Sequence, residues 1–382
     1  MTKKGKFIAN EEVEIKTISN FKRFLEQGYA FENCTIQNID FQGLNINWNT
    51  LKIANTSFLG CTFNIEEEVL LRRKGAVVFN CHGDLPYSPF RADLYGWQEL
   101  MRGFSPEKDE SYDIKIYEHF EKTKKNPTIN EALMQRVHDH AMDQGIRELL
   151  TFDANGLTEL KCVGFMGGHS TLRSDKFYIK TAKTAKLLAE NGYFIVSGGG
   201  PGIMEATNLG AYFAGKDDAD LEIALELLMQ APHYTHPDFH QKAMQVLEQY
   251  PDGGESLAIP TWFYGHEPSN LFASHIAKYF SNSLREDTLL AISLYGIVFS
   301  PGSAGTTQEI FQDATQNHYA TFDYISPMIF LSKKRYEIDT LIFPLLKQLS
   351  YGRDFADMLF LTDEPNEVLT FLKQNPPRIS KG

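Results

Sequence analysis

The sequence predicts an α/β protein: a parallel sheet covered by helices on both faces, preceded by an N-terminal accessory region of β character. Three observations carry that expectation. From Leu160 onward short apolar runs alternate with helix-periodic segments, the pattern of βαβ units. Three of those runs are followed at once by turns of glycine and other small residues: GFMGGHSTLR, SGGGPGIMEA and SPGSAGTTQE. Ahead of them, residues 31–63 carry an apolar residue at a five-residue period, which belongs to neither helix nor ordinary strand.

At 382 residues the chain is long enough for one large domain and an accessory one. The expected boundaries are 1–69 for the β segment, 70–157 for a strand and helix bridge, 158–376 for the α/β domain and 377–382 for a tail. Hydrophobic content of 42% and charged content of 23% are ordinary for a globular chain. A net charge of −12 argues against a nucleic-acid partner, which requires a basic surface. It leaves a small anionic ligand open, because local backbone dipoles decide that. The longest apolar runs fall far short of a membrane span, so no membrane partner is expected. MTKKGKFIANEEVEIK has basic residues but no apolar core behind them, so a secretory signal is not expected either. Cys34, Cys61, Cys81 and Cys162 are widely spaced without a C-x-x-C pattern. They read as reduced thiols of a cytoplasmic protein, not as a disulfide framework or zinc site.

In the accessory region Phe31, Ile36, Phe41, Ile46 and Leu51 fall five apart, and after a two-residue slip Phe58 and Phe63 repeat the step. Cys34, Ile39, Leu44 and Cys61 sit two residues before such positions. The spacing resembles that of pentapeptide-repeat proteins, whose chain winds into a four-sided β-helix; the alternative is a few short irregular strands. A stack of roughly one and a half coils is too short to bury its own core and is expected to lean on a neighbour. In the bridge, a strand over Ala76–Asn80 runs into Gly83, Pro86 and Pro89. A helix over 130–150 follows, capped by Thr128 or Asn130, with Leu133, Val137, Ala141 and Ile146 as its apolar stripe. His138 and His140 are two apart and point to different helix faces, which suits surface or packing roles and not a metal pair.

The α/β domain then reads in order. KCVGFM is a strand, and FYIKTAKTAKLLAENG a helix burying Ala182, Ala185, Leu188 and Ala189 and stopped by Gly192. YFIVS is a strand and IMEATNLGAYFAG a helix. HYTHPDFHQKAMQVLEQYP carries His233, His236 and His240, interrupted by Pro237; it reads as a helical insertion at the rim of a site more than as a metal cluster. LAIPTWFY is a strand and SNLFASHIAKYFSNSLREDTLLAISL a helix. GIVF, PMIFLS and DMLFLTD are strands, and EPNEVLTFLKQ is the last helix. This is a Rossmann-like order. Ligands of such folds bind at the carboxyl ends of the strands, so the three turns should line one edge of the sheet and converge.

The third turn carries the most chemistry. Ile297-Val298-Phe299 reads as a buried strand, and Ile310, Phe311, Ala314 and Tyr319 as one helix face. Between them Gly302, Ser303, Ala304, Gly305 and Thr306 form an anion site, because free backbone N–H groups and the macrodipole meet at the helix start. Glu309 stands one turn further in. In the second turn, Gly198, Gly199, Gly200 and Gly202, ahead of Met204, allow a ligand close to the backbone. The first turn adds Gly167, Gly168, the Ser170 hydroxyl and Arg173 as a phosphate partner. A lone glycine turn reads as a tight connection; two in one sheet seldom arise from packing alone.

GGGPGIMEA paired with PGSAGTTQE about a hundred residues later resembles the Lonely Guy family of nucleotide phosphoribohydrolases. The GGHS of the first turn, GHEPSN at 265–270 and the N-terminal segments look closer to its larger bacterial members, the pyrimidine/purine nucleotide 5′-monophosphate nucleosidases. The likeness covers roughly 160–375. It implies hydrolysis of a nucleoside 5′-monophosphate to free base and ribose 5-phosphate, with no cofactor and no metal, in a cytoplasmic homodimer or pair of dimers. It further implies Glu309 as the catalytic carboxylate, Arg285 as its upstream arginine, Gly302 to Thr306 as the phosphate cradle and Glu267 as a nucleotide contact. Arg285 stands one residue further from the following strand than the family pattern has it. Ser303 replaces the family's second glycine, and Gln308 replaces the glutamate usual before the catalytic one.

Two readings of Glu309 stand side by side. Thr306-x-x-Glu309 is a capping box, with Glu309 returning to the N-cap backbone. Beside two glycine turns it is instead a carboxylate placed to stabilise an oxocarbenium-like ribose. A nucleotide sensor or carrier without hydrolysis is the alternative function. A pyridoxal-phosphate decarboxylase, the family's older label, finds no lysine in a Schiff-base setting here.

Overall fold

The computed structural model describes residues 13–28, 30–80, 85–105, 107–108, 110–153 and 155–380. Cys81 and Gly83, named above, lie outside the described residues. Residues 13–94 with 122–147 form one unit, and residues 95–121 with 148–380 form another. The segment expected to act as a separate bridge is therefore shared between the two.

In the first unit, β1 (Val13–Ile15) is followed by α1 (Ile18–Glu26), β2 (Phe31–Glu32), β3 (Cys34–Gln37), β4 (Ile53–Ala54), β5 (Ser57–Leu59), α2 (Ile65–Arg73) and β6 (Val77–Phe79). Strands pair in parallel in the orders β1-β3-β5-β6 and β2-β4. Phe31 lies over Ile53, Ile36 over Phe58 and Asp40 over Thr62, each pair 22 residues apart, as for the Asn55–Asn33 side-chain bond across the same step. The two-residue slip read in the sequence accounts for a coil longer than four fives. Strand ladders run along two sides of this coil.

The five-residue positions share one core. Phe31, Ile36, Phe41 and Phe58 are essentially unexposed, and Cys34, Ile39, Cys61 and Phe63 join them. Phe21 of α1 fills the centre, with ring centroids 4.9 Å from Phe41 and 5.1 Å from Phe31. Edge-to-face and offset pairs of this kind add about 0.5–1.5 kcal/mol each beyond their burial. The neighbours on which the stack leans are two helices that the sequence reading did not place: its core is closed by Phe21 of α1 and by Leu71 of α2.

Next come α3 (Trp97–Leu100), α4 (Tyr112–Thr123) and α5 (Ile129–Leu150). Thr128 caps α5, its Oγ1 accepting from Glu131 N at 3.2 Å. The buried face of α5 is Glu131, Met134, His138, Ala141, Met142 and Ile146, whereas Leu133 is exposed. The expected stripe is thus rotated. Glu131 accepts from the Tyr87 hydroxyl at 3.0 Å and His138 packs edge-on to Tyr87, so polar side chains take part in the inner face.

The second unit is built on β7 (Lys161–Met166), β8 (Tyr193–Ser197), β9 (Ser256–Ala258), β10 (His275–Ile276), β11 (Ile297–Phe299), β13 (Met328–Leu331) and β14 (Leu359–Thr362). Between β11 and β13 lies β12 (Tyr324–Ile325), paired antiparallel with β15 (Arg378–Ile379). The main sheet has the order β10-β9-β8-β7-β11-β13-β14, and every neighbouring pair is parallel. This is the α/β sheet expected. Its helices are α6 (Lys176–Glu190), α7 (Ile203–Tyr212), α8 (Asp218–Met229), α9 (Phe239–Gln249), α10 (Asn282–Ile292), α11 (Ala304–Tyr319), α12 (Ile342–Leu349) and α13 (Pro365–Gln374). Val163, Phe165, Ile195, Val298 and Ile329 make a fully buried layer with α6 and α13. Gly210 lets α7 approach α6 closely: a Cβ there would stand 2.1 Å from the Ala182 carbonyl.

Two stretches differ from expectation. The strand expected over 257–264 ends at Ala258, because Pro260 lacks the N–H a ladder requires. The helix expected from Ser269 begins only at Asn282. Before it, residues 269–281 run as irregular chain through β10, held by Asn270 N donating to the Gly199 carbonyl at 2.9 Å.

Candidate functional site

The chain starts the sheet in the middle at β7, moves outward through β8, β9 and β10, and returns to β11 on the other flank of β7. That reversal leaves a crevice at the carboxyl ends of β7 and β11, and the first and third glycine turns follow those two strands. Gly168 N donates to the Pro301 carbonyl at 3.1 Å and Ile203 N to the Gly168 carbonyl at 3.0 Å, so all three turns touch. Glycine is required at the contacts. A Cβ on Gly302 would stand 2.9 Å from Gly168 N, and one on Gly202, whose φ is +68°, 2.4 Å from the Gly168 carbonyl.

Helix α11 opens with Ser303 as N-cap. Ser303, Ala304 and Gly305 are exposed, and nothing lies within 4 Å of the Cβ position of Gly305. The first-turn N–H groups therefore border open space, where the macrodipole favours an anion. Thr306 is buried against Gly302, and the Gly302 carbonyl accepts from Arg335. Because the cap is Ser303 and not Thr306, the capping-box geometry is not formed, and the Glu309 carboxylate is directed elsewhere.

It meets Arg285. Arg285 Nη1 donates to Glu309 Oε1 at 3.2 Å, and both residues are under a tenth exposed. Arg285 sits in the first turns of α10, and its Nε and Nη2 donate to the Ile259 carbonyl at 2.8 Å and the Gly198 carbonyl at 3.4 Å. The one-residue offset in the sequence does not keep it from Glu309. Gly198 must be glycine for this: a Cβ would stand 2.3 Å from Arg285 Nη2. Burial raises the Glu309 carboxyl above the ordinary carboxylate range; Arg285 opposes that rise and Glu286 adds to it.

Glu267 comes from the loop between β9 and β10. Its Oε2 lies 3.2 Å from where a Gly200 Cβ would be, and its Oε1 lies 3.8 Å from His169 Nδ1. That loop is anchored from below. Asp113 of α4 accepts from Trp262 Nε1 at 2.7 Å and from Lys278 Nζ at 2.8 Å, and Lys278 also donates to Ser269. Met204 is buried beneath Gly198 and Gly200. Gly199, at φ +76°, packs against Pro260. Gly167 abuts Ile203, and Ser170 is exposed at the tip of its turn.

Arg173 is not a phosphate partner. It is 1% exposed, forks onto Glu205 with Nε at 2.8 Å and Nη2 at 2.5 Å, and stacks on Phe239 at 3.6 Å. A bidentate buried pair leaves it no donor face for a ligand. His233 and His236 accept through Nδ1 from the N–H groups of Thr235 and Asp238, which makes them turn residues. Among the described residues no group of three or more His, Cys, Asp or Glu side chains is placed to hold a metal. No helix is long and apolar enough to cross a membrane.

Sequence reasoning missed Asn282, Glu286, Tyr264, Arg335 and Tyr336. Asn282 and Glu286 lie one helical turn apart on the face that carries Arg285, a signal available once that helix is placed. The Tyr336 hydroxyl donates to the Ser300 carbonyl at 2.7 Å, bracing the third turn from a segment with no motif of its own.

No protein-family model matches the chain, and no curated protein matches it in sequence. It is similar in structure to a molybdenum cofactor binding protein from Rippkaea orientalis, at 13% identity and a TM-score of 0.37, over 56% of this chain and 97% of that one. It is also similar to the Moco carrier protein from Chlamydomonas reinhardtii, at 12% identity and a TM-score of 0.35, over 56% and 97%. A third is DNA processing protein A from Streptococcus pneumoniae, at 13% identity and a TM-score of 0.31, over 64% and 82%.

Proposed function

We propose that this chain hydrolyses the N-glycosidic bond of nucleoside 5′-monophosphates to free base and ribose 5-phosphate, a phosphoribohydrolase reaction of the Lonely Guy type. The observation that carries this reading is the buried Arg285–Glu309 pair just inside the open N-terminus of α11. In that reaction the C1′–N bond breaks and its electron pair leaves with the base. The ribose takes up positive charge, and a water oxygen bonds to C1′. Glu309 is the group to stabilise that cation and to accept the water's proton, while the departing base gains one. A carboxyl raised by burial suits proton transfer nearer neutral pH. The N–H groups at Ala304, Gly305 and Thr306 suit the 5′-phosphate, and fixing it there holds C1′ against the carboxylate.

Incubation with AMP, GMP, CMP, UMP and IMP, scored for free base and ribose 5-phosphate, tests the reading. At least one is expected to turn over, and Glu309→Gln is expected to slow release by about 10²–10⁴-fold with nucleotide binding retained. Failure to release base from all five by the folded protein overturns it. The carrier reading is favoured by one observation: three of the five Arg285 donors are already engaged, by Glu309 and two carbonyls. Tight nucleotide binding with no turnover would select it.

A further inference from the structure

Glu286 lies next to Arg285 on α10 and is 7% exposed, yet its oxygens are held by neutral amides. Oε1 accepts from Asn282 Nδ2 at 2.6 Å and Oε2 from Gln308 Nε2 at 2.8 Å. Both oxygens therefore receive an amide N–H, an arrangement that suits an acceptor-only carboxylate. Gln308 directly precedes Glu309, so this bond ties α10 to the stretch of α11 that carries Glu309. Glutamate at 308 would set two carboxylates at that same separation, where they could remain only by sharing a proton. Asn282 extends the network, its Nδ2 also donating to the Tyr264 hydroxyl at 3.1 Å.

We infer that Glu286, gripped by Gln308 and Asn282, is a positioning residue for the Arg285–Glu309 pair: it fixes α11 against α10 and keeps a second negative charge beside Glu309. Its link to turnover rests on the hydrolase reading; its link to the Glu309 proton does not. The titratable and charged groups facing Glu309 are Arg285 and Glu286 from α10, Tyr264 from the β9–β10 loop, and Tyr336 from the segment after β13, beside Arg335. Of these, Arg285 and Glu286 act on Glu309 by charge and in opposite directions: a negative charge at Glu286 strengthens the hold of Glu309 on a proton, and Arg285 weakens it.

The test is a ¹³C NMR carboxyl titration of Glu309, its signal assigned by its loss in Glu309→Gln. It is run on the full-length wild type, Glu286→Gln, Gln308→Glu and the double swap, with thermal unfolding of each. The midpoint is expected to fall in Glu286→Gln and rise in Gln308→Glu. The double swap, which restores one carboxylate and one amide across the gap, is expected to regain thermal stability lost in Gln308→Glu. The acid limb of kcat/KM should move with the midpoint. An unmoved midpoint in Glu286→Gln overturns the inference. If that variant does not fold, a double swap no more stable than Gln308→Glu overturns it. Absence of base release by the wild type would sink the hydrolase reading and leave the titration to decide this one.

Discussion

Glu309 and Asp313 sit one turn apart on α11, both buried, and differ in what surrounds them. Glu309 has Arg285 at 3.2 Å. Asp313 accepts only from Asn317 Nδ2, at 3.4 Å, and its Oδ2 has no hydrogen-bond partner among the described residues. Burial alone pushes its carboxyl well above the ordinary range. A carboxyl raised on folding contributes stability that is complete below its unfolded pKa of about 3.9 and is lost as pH rises toward the folded value. Asp313→Asn is therefore expected to unfold at a higher temperature than wild type near neutral pH, and the gain should shrink toward pH 4. Thermal unfolding of both proteins across that range checks it, and a constant difference would refute it. At this scale the motif alone left Glu309 between capping and catalysis, and Arg285 entered only through the family resemblance, against its spacing; the structure brings the two side chains together. The sequence reading misassigned Arg173, because a guanidinium beside a glycine turn looks the same in sequence whether a ligand or Glu205 receives it.

Helix starts and strand ends decide which groups face the crevice. Gly202 enters α7 at φ +68° and ψ −128°, a conformation closed to residues with a Cβ, and its carbonyl neighbours in the first turn leave no room for one. Gly202→Ala is expected to cost at least about 1–3 kcal/mol, read as a lower denaturant midpoint, and to reduce base release by spreading the first and second turns. An unchanged midpoint would refute the claim that these turns are locked together. Glycine turns were legible as elements because a Cβ would collide at most of their glycines, and Gly199 and Gly202 also carry positive φ. The start of α10 was not. Apolar spacing runs without a break from Leu271 to Ile292, and only pairing of His275 and Ile276 with β9 turns its first half into strand and loop. The same holds for α1, a short amphipathic segment whose Phe21 has meaning only beside Phe31 and Phe41.

Each of the two units of this molecule encloses an apolar core, so a single two-state transition is not expected of it. Phe58→Ala, at a fully buried position of the coil, is expected to cost about 3–5 kcal/mol and to lower one calorimetric transition. A wild-type thermogram for that variant would refute an independent coil core. The sequence by itself determined the alternation that makes the parallel sheet, the three glycine turns at its carboxyl edge and the five-residue beat of the coil. These are local facts, written in periodicity and in runs of small residues. The tertiary structure alone decided that Arg285 reaches Glu309, that Arg173 is spent on Glu205, and that Glu286 and Gln308 form a carboxylate–amide pair. Each of those depends on which polar group a buried donor or acceptor meets across 20 or more residues of chain, and burial obliges it to meet one.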